Sequence, residues 1–427
     1  MLKGRMKTME EVIKIQGGIQ LNGEVTISGS KNATVALIPA AILANGPVTI
    51  VGVPGIADVN SLSEILHILN VEVREEREHL IIDPTNMINV DLDQDVVTKL
   101  RASYYFMGAL LGKYGHVRMK MPGGCYLGPR PIDLHLKGFE ALGATVEYER
   151  GCYNINAEHL TGNKIFLDIP SVGATINIMM AAVYADGRTT IENAAKEPEI
   201  IDVATLLNKM GANIKGAGTN VITIDGVDNL MGCFHEIIPD RIEAGTFLIM
   251  AAACAGTMKI TNVIPKHIEA LTSKLEEMGV QMDIGIDTIT VTHTDHLHPV
   301  DITTKPYPGF ATDLQQPLTA LLTQVEGDSR VVDTIYTERF KHCLELQRMG
   351  ADIDIDNGSS VIKGPSKLYG DKVYATDLRC GACLVIAGLL AEGETEIHDI
   401  YHIDRGYYDI DSKIQKLGGK ITREVIE

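Results

Sequence analysis

The stretch Leu207-Asn208-Lys209-Met210-Gly211-Ala212 decides the fold, because related stretches recur at a nearly fixed spacing along the chain. Each copy has the pattern of a helix that ends in a glycine turn and leads into a strand. The other copies are residues 66–71, 139–144, 275–280, 346–351 and 414–419. Five turn glycines lie 68, 68, 71 and 68 residues apart: Gly143, Gly211, Gly279, Gly350 and Gly418. The first copy has Asn70 instead of glycine, and both residue types tolerate the left-handed conformation that closes a helix.

An alanine-rich apolar helix followed by a short strand lies upstream of each turn, most clearly at residues 175–192, 245–261 and 383–397. Each repeat is therefore predicted to contain a strand, a buried helix, a strand, an amphipathic helix and a strand. Because a wholly apolar helix must be buried, three repeats could turn these helices inward and place their sheets outside. Six repeats predict a mixed α/β fold of two lobes with a cleft between them. A single stacked solenoid is the alternative.

Composition limits the classes of function. The chain has 427 residues, a formal net charge of −18 and 45% hydrophobic residues, which is typical of a globular protein with more than one domain. The negative charge argues against a nucleic-acid partner, so any phosphate site must be a local cluster of Lys and Arg. No apolar run approaches the roughly 20 residues that span a bilayer. The first residues lack the apolar core of a signal peptide, so a cytoplasmic protein without a membrane partner is predicted.

Seven scattered cysteines do not form a disulfide framework. Cys380 and Cys383 are the one close pair, and no second pair stands at the spacing that would complete a zinc site. Packing of small residues along a helix is the preferred interpretation of this pair. No metal and no cofactor are predicted.

Charged residues recur at the predicted helix starts. Lys31-Asn32, Arg101, Asp240-Arg241, Thr312-Asp313 and Asp377-Leu378-Arg379 stand before or at the apolar helices. The starts of the second helices carry Arg130, Lys266, Arg339 and Arg405. Since helix N-termini favour anions, repeated cations at these positions indicate an anionic ligand, and surface ion pairs are the alternative.

Residues 122–131 depart from the repeat. Three glycines and three prolines in ten residues predict a loop, which carries Cys125 five residues before Arg130. A nearby cation lowers the pKa of a thiol, so Cys125 is the candidate reactive cysteine. Asp313 follows a second Pro/Gly loop, where aspartate commonly caps a helix, and such a capping role does not exclude a catalytic one.

Together these stretches resemble the UDP-N-acetylglucosamine 1-carboxyvinyltransferase family of enolpyruvyl transferases, over nearly the whole chain. The resemblance is carried by residues 29–33, 100–103, 122–134, 170–175, 197–200, 238–246, 312–313, 375–379 and 402–407. It implies two similar domains, each an inside-out α/β barrel of three βαβαββ repeats with buried helices, and an active site in the interdomain cleft. The implied domains are residues 30–237 and, with the N-terminal segment 1–29, residues 238–427.

The resemblance also implies the reaction and its ligands. The enolpyruvyl group of phosphoenolpyruvate moves to the 3′-hydroxyl of UDP-N-acetylglucosamine and phosphate is released, as the first committed step of peptidoglycan synthesis. Cys125 would act as general acid and as the fosfomycin target, and Asp313 as base. The implied phosphoenolpyruvate ligands are Lys31, Asn32, Arg130, Arg379 and Arg405. The implied nucleotide-sugar ligands are Arg101, Arg130, Pro131, Ile132, Asp133, Leu134, Asp313 and Ile335, with Arg339 and Asp377 supporting the site.

Two positions depart from the family's pattern, because many members carry Lys where this chain has Ala57, and some carry Lys at Ile169. Three other functions are alternatives. The shikimate-pathway enolpyruvyl transferase shares the repeat but lacks the cysteine loop. An RNA 3′-phosphate cyclase would require a basic surface, which the net charge of −18 disfavours. A non-catalytic repeat scaffold predicts no clustering of Lys31, Arg130, Arg379 and Arg405.

Overall fold

The computed structural model describes residues 9–123 and 131–426, which form two compact units. One unit is Ser28–Asp240, and the other contains the described residues on either side of it. The assignment of enolpyruvyl-transferase-like domains at 30–237 and at 1–29 with 238–427 stays a prediction.

The unit Ser28–Asp240 is preceded by two strands that belong to the other unit, β1 (Glu10–Gln16) and β2 (Leu21–Thr26). Its helices and strands follow in chain order: α1 (Lys31–Ala41), β3 (Val48–Val51), α2 (Ala57–Ile68), β4 (Glu72–Glu76), β5 (His79–Asp83), α3 (Asp95–Lys99), α4 (Tyr105–Tyr114), β6 (His116–Lys120), α5 (Asp133–Ala141), β7 (Thr145–Glu149), β8 (Cys152–Asn156), β9 (Lys164–Phe166), α6 (Val172–Ala182), β10 (Arg188–Glu192), α7 (Pro198–Met210), β11 (Asn213–Lys215), β12 (Val221–Asp225) and β13 (Phe234–Glu236).

The second unit continues from Arg241. Its elements are α8 (Arg241–Cys254), β14 (Ala255–Thr261), α9 (Glu269–Glu277), β15 (Gln281–Ile284), β16 (Thr288–Thr292), β17 (Ile302–Thr303), α10 (Thr312–Leu322), β18 (Gly327–Val332), α11 (Lys341–Arg348), β19 (Asp352–Asp356), β20 (Ser359–Gly364), β21 (Lys372–Tyr374), α12 (Leu378–Leu390), β22 (Glu394–His398), α13 (Tyr401–Asp404), α14 (Ile410–Lys416) and β23 (Lys420–Ile426). Two short 3₁₀ turns add Arg101–Tyr104 and Pro265–Ile268.

The sheets repeat one topology, which confirms the predicted βαβαββ unit. In the order β17-β18-β20-β19, the first pair is parallel and joined through α10, and the other pairs are antiparallel. Strands that are distant in sequence complete three of the sheets. The strand β13 pairs with β3, β1 pairs with β22, and β2 pairs with β14.

The apolar helices are the core of each unit. Nearly every residue of α1, α6, α8 and α12 is buried, so these helices have no polar face to give to water. The mixed α/β fold with buried helices and outer strands is therefore as predicted.

The turn residues adopt the conformation that the repeat predicts. Gly143, Gly211, Gly279, Gly350 and Gly418 have φ between 93° and 113°, and Asn70 has φ 55°. Because a residue with a side chain rarely adopts such a φ, the recurring glycine marks where each amphipathic helix must stop and turn into its strand.

Candidate active site

Two central residues of the prediction, Cys125 and Arg130, lie outside the described residues. The site is therefore built from the predicted residues on either side of that segment. The predicted residues lie in three groups: the carboxylate Asp313 with two arginines, Lys31 with two carboxylates, and Arg101 with an aromatic cluster.

Asp313 is held by two buried arginines. It lies in the first turn of α10, where Oδ1 accepts a hydrogen bond from Arg339 Nη1 at 2.7 Å and Oδ2 accepts one from Arg379 Nη2 at 3.1 Å. The Asp313 side chain is 24% exposed, whereas the two arginine side chains are 3% and 2% exposed. The carboxylate is therefore fixed in orientation while one side still reaches solvent.

An N-capping role for Asp313 is wrong, because Ala311 is the N-cap of α10 and the Asp313 carboxylate is turned to the arginines instead. The alternative of surface ion pairs is also wrong for Arg339 and Arg379, since both are buried. Breaking such a buried pair costs more than losing a surface one, because one charge is left without its partner.

Asp377 completes this group. It caps α12 by accepting hydrogen bonds from the N–H groups of Arg379 and Cys380, and it lies 3.9 Å from Arg339 Nη2. Burial works to lower the pKa of Arg339, but the charges of Asp313 and Asp377 outweigh it and raise that pKa above its ordinary value. Arg379 also stacks over the ring of Tyr407 at 5.2 Å.

Lys31 stands at the start of α1, as predicted, and carboxylates of its own unit hold it. Its backbone N–H donates to Asp240 Oδ2 at 2.8 Å, and its Nζ lies 3.5 Å from Asp58 Oδ2. The side chain of Asp58 is 3% exposed and that of Lys31 16%. Ser30 caps the helix, and Asn32 is partly buried beside Lys31. No motif in the sequence marks Asp58, which is next to Ala57, one of the two departures from the family's pattern.

Arg101 opens the 3₁₀ turn Arg101–Tyr104, which leads directly into α4 at Tyr105, so it stands at the helix entry as predicted. Its guanidinium stands 5.9 Å from the ring centroid of Tyr104, and that ring packs edge-on against His135. Asn177 on α6 fixes the cluster by donating from Nδ2 to the carbonyl of Tyr104 and to His135 Nδ1, each at 2.9 Å. Sequence reasoning missed His135 and Asn177, because nothing local to either residue marks it.

The charge state of His135 predicts a pH dependence of stability. Burial, and then the charge of Arg101, lower the pKa of His135 to about 3. An unfolded histidine has a pKa of about 6.5, so below that pH the unfolded chain binds a proton that the folded chain does not. The contribution of His135 to stability is constant above about pH 6.5 and falls by about 1.4 kcal/mol per pH unit as the pH drops towards 3. Urea unfolding of His135→Gln between pH 7 and pH 5 is expected to show a weaker pH dependence than the unmutated chain.

The matched control is His159→Gln, which changes an exposed histidine of the same unit. It is expected to keep the full pH dependence. Equal slopes for His135→Gln and the unmutated protein would contradict the assignment of a neutral, buried His135.

The predicted nucleotide-sugar segment 131–134 leads into α5. Pro131 and Asp133 are exposed, and Ile132 and Leu134 are buried in the core. Ile335 is 39% exposed. Ile169, the other departure, is also exposed, on the loop before α6.

Arg405 is not at the start of a second helix, which corrects the prediction. It directly follows α13, and α14 begins at Ile410. The repeat misled because α13 is inserted between the strand and the amphipathic helix. Arg405 is partly buried, and its charge contributes, after burial, to lowering the pKa of His402. Lys266 lies in the 3₁₀ turn before α9.

Cys380 and Cys383 are buried in α12, as the packing interpretation predicts. Burial raises the pKa of Cys380 to about 12 and that of Cys383 well above its ordinary value. These thiols are therefore protonated at neutral pH and poor nucleophiles.

Among residues 9–123 and 131–426, His, Cys, Asp and Glu side chains form no group of three or more that could hold a metal ion. No helix in the same ranges has the length and apolar character needed to cross a membrane.

Solved structures of enolpyruvyl transferases share this architecture. The enolpyruvyl transferase NikO from Streptomyces tendae superposes with a TM-score of 0.89 at 26% identity, covering 98% of this chain and 100% of that one. The EPSP synthase from Acinetobacter baumannii has a TM-score of 0.74 at 18% identity, covering 98% of this chain and 100% of its own, and supports the fold alone. The class is thus that of the enolpyruvyl transferases.

Sequence comparison narrows the class. The family model for EPSP synthase (3-phosphoshikimate 1-carboxyvinyltransferase) matches residues 15–414. A UDP-N-acetylglucosamine 1-carboxyvinyltransferase 2 from Geobacillus kaustophilus is 58% identical, with 96% of both chains covered. Relatives of the same name from Listeria monocytogenes and Bacillus subtilis are 58% and 57% identical, with 97% of this chain and 98% and 97% of theirs covered. The chain belongs to the UDP-N-acetylglucosamine 1-carboxyvinyltransferase family of enolpyruvyl transferases, as the sequence resemblance predicted.

Proposed function

We propose that this protein transfers the enolpyruvyl group of phosphoenolpyruvate to the 3′-hydroxyl of UDP-N-acetylglucosamine, releasing phosphate, in the cytoplasmic synthesis of peptidoglycan precursors. The observation that carries the proposal is the match to transferases of that name at 57–58% identity over almost the whole chain. The fixed carboxylate of Asp313 between two arginines supports it, since the reaction needs a base in a defined position.

The proposed chemistry is an addition followed by an elimination. The sugar oxygen bonds to C2 of phosphoenolpyruvate while its proton passes to Asp313, and C3 receives a proton from Cys125. In the second step C3 loses a proton, the double bond forms again, and the C2–O bond to phosphate breaks. Two guanidiniums hold the carboxylate in a defined orientation, and its partly exposed side leaves room for the hydroxyl.

Lys31 supplies a cation at the N-terminus of α1, where the helix itself also favours an anion. We assign phosphoenolpyruvate to Lys31, Asn32, Arg130, Arg379 and Arg405, and the nucleotide sugar to Arg101, residues 130–134, Asp313 and Ile335. Arg379 donates a hydrogen bond to Asp313, so its proposed role is to orient this carboxylate as well as to attract the anion.

A phosphate-release assay tests the proposal. Phosphoenolpyruvate with UDP-N-acetylglucosamine is expected to yield phosphate, and either substrate alone is expected to yield none. Phosphate released only when shikimate 3-phosphate replaces the nucleotide sugar would assign the 3-phosphoshikimate 1-carboxyvinyltransferase reaction to the chain instead. No phosphate with either acceptor would contradict both.

A further inference from the structure

Asp333 is a buried carboxylate that the proposed mechanism does not use. It directly follows β18 and is 1% exposed. Its Oδ1 accepts hydrogen bonds from Thr304 Oγ1 at 2.8 Å and from the backbone N–H groups of Ile335 and Tyr336 at 2.9 and 2.8 Å. Its Oδ2 accepts one from Thr312 Oγ1 at 2.6 Å. These four donors are neutral hydroxyl and amide groups. The buried carboxylate is therefore satisfied by hydrogen bonds, each of which requires it to stay in this position.

These contacts join two parts of the candidate site. Ile335 is the exposed residue assigned to the nucleotide sugar, and Asp333 fixes its backbone directly. Thr312 immediately precedes Asp313, and its hydroxyl also accepts a hydrogen bond from Arg339 Nη1 at 3.2 Å. A chain of hydrogen bonds therefore runs from Arg339 through Thr312 to Asp333, and Arg339 holds Asp313 as well.

We propose that Asp333 is a positioning residue, which holds the backbone at Ile335 and the start of α10 at a fixed distance from each other. The proposed base Asp313 and the proposed sugar-binding residue Ile335 therefore keep a fixed relative position. This inference rests on the proposed function and deepens it. One oxygen holds the nucleotide-sugar side and the other holds the base side. Loss of the carboxylate should therefore affect binding of the nucleotide sugar and the rate of its deprotonation together.

The test is the steady-state kinetics of Asp333→Asn, which keeps the size of the side chain but places an amide N–H₂ where one oxygen accepted. Misplacing a reacting group by about 1 Å can cost ~100-fold in rate. We expect kcat to fall ~10- to 100-fold and KM for UDP-N-acetylglucosamine to rise about tenfold, with KM for phosphoenolpyruvate changed less than about twofold.

Ser329→Ala is the matched control, because Ser329 is equally buried on β18 and its hydroxyl accepts a hydrogen bond from the Val300 N–H at 3.1 Å. It is expected to lower the melting temperature without changing kcat or either KM. If Asp333→Asn likewise changes only the melting temperature, the positioning role is overturned and the proposed function stands. If the unmutated protein releases no phosphate, the proposed function is overturned, and this inference with it.

Thr312→Val keeps the test possible if Asp333→Asn does not fold. It removes one hydroxyl and the link from Arg339 to Asp333, while the contacts of Asp333 with Ile335 and Tyr336 remain. We expect a lower kcat with little change in KM for the nucleotide sugar, and an unchanged kcat would overturn the inference.

Discussion

Asp313→Asn is expected to lower the rate of phosphate release about 1,000-fold, within the range that general acid–base catalysis contributes. The amide cannot accept the sugar proton, although it can still accept one hydrogen bond from Arg339 or Arg379. The measurement is kcat with both substrates saturating. Thermal unfolding should be followed in parallel, because the substitution leaves two buried guanidiniums with one carboxylate partner fewer.

Asp295→Asn is the matched control, since it changes an aspartate of the same unit whose side chain is 84% exposed. It is expected to leave kcat and the melting temperature unchanged. A kcat for Asp313→Asn within about tenfold of the unmutated value would remove Asp313 from the role of base.

Cys125→Ala is expected to lower phosphate release between about 100- and 10,000-fold, and to abolish covalent labelling by fosfomycin. Without the Cys125 thiol, water must donate the proton to C3 of phosphoenolpyruvate, and that water is poorly positioned for the transfer. Fosfomycin requires a thiolate nucleophile, and the burial that raises the pKa of Cys254, Cys343 and Cys380 to about 12 makes those thiols unreactive. Mass spectrometry of the intact, fosfomycin-treated protein measures the labelling.

Cys233→Ala is the control for this prediction. Cys233 is only partly buried, and burial raises the pKa of its thiol despite the lowering effect of Lys209. This variant is expected to retain activity and to take up one fosfomycin. Labelling of Cys125→Ala to the same extent would mean that another thiol is the reactive one.

The sequence predicted those parts of the fold that repeat. A left-handed turn after each amphipathic helix requires glycine or asparagine, so Asn70 and the five glycines could be located without a structure. Apolar helices such as α6 could be predicted to be buried because they have no polar face. Lys31 at the start of α1 and Asp377 at the start of α12 followed from the same register.

Contacts between distant segments could not be predicted in this way. Nothing near Arg339 or Asp333 in the sequence shows that they meet α10, because those contacts form only when β17 and β18 pair and bring residues 304, 312 and 333 together. The inserted helix α13 moved Arg405 away from the position that the repeat assigned to it. Lys31 likewise gained Asp58, a partner 27 residues along the chain, only through folding.

The most direct test of the central claim is the identity of the reaction product. The protein is incubated with phosphoenolpyruvate and UDP-N-acetylglucosamine, and the nucleotide sugar is analysed by mass spectrometry. The account predicts a product heavier by one enolpyruvyl group, C₃H₂O₂, in step with the phosphate released. Recovery of unmodified UDP-N-acetylglucosamine after complete incubation with the folded protein would contradict it.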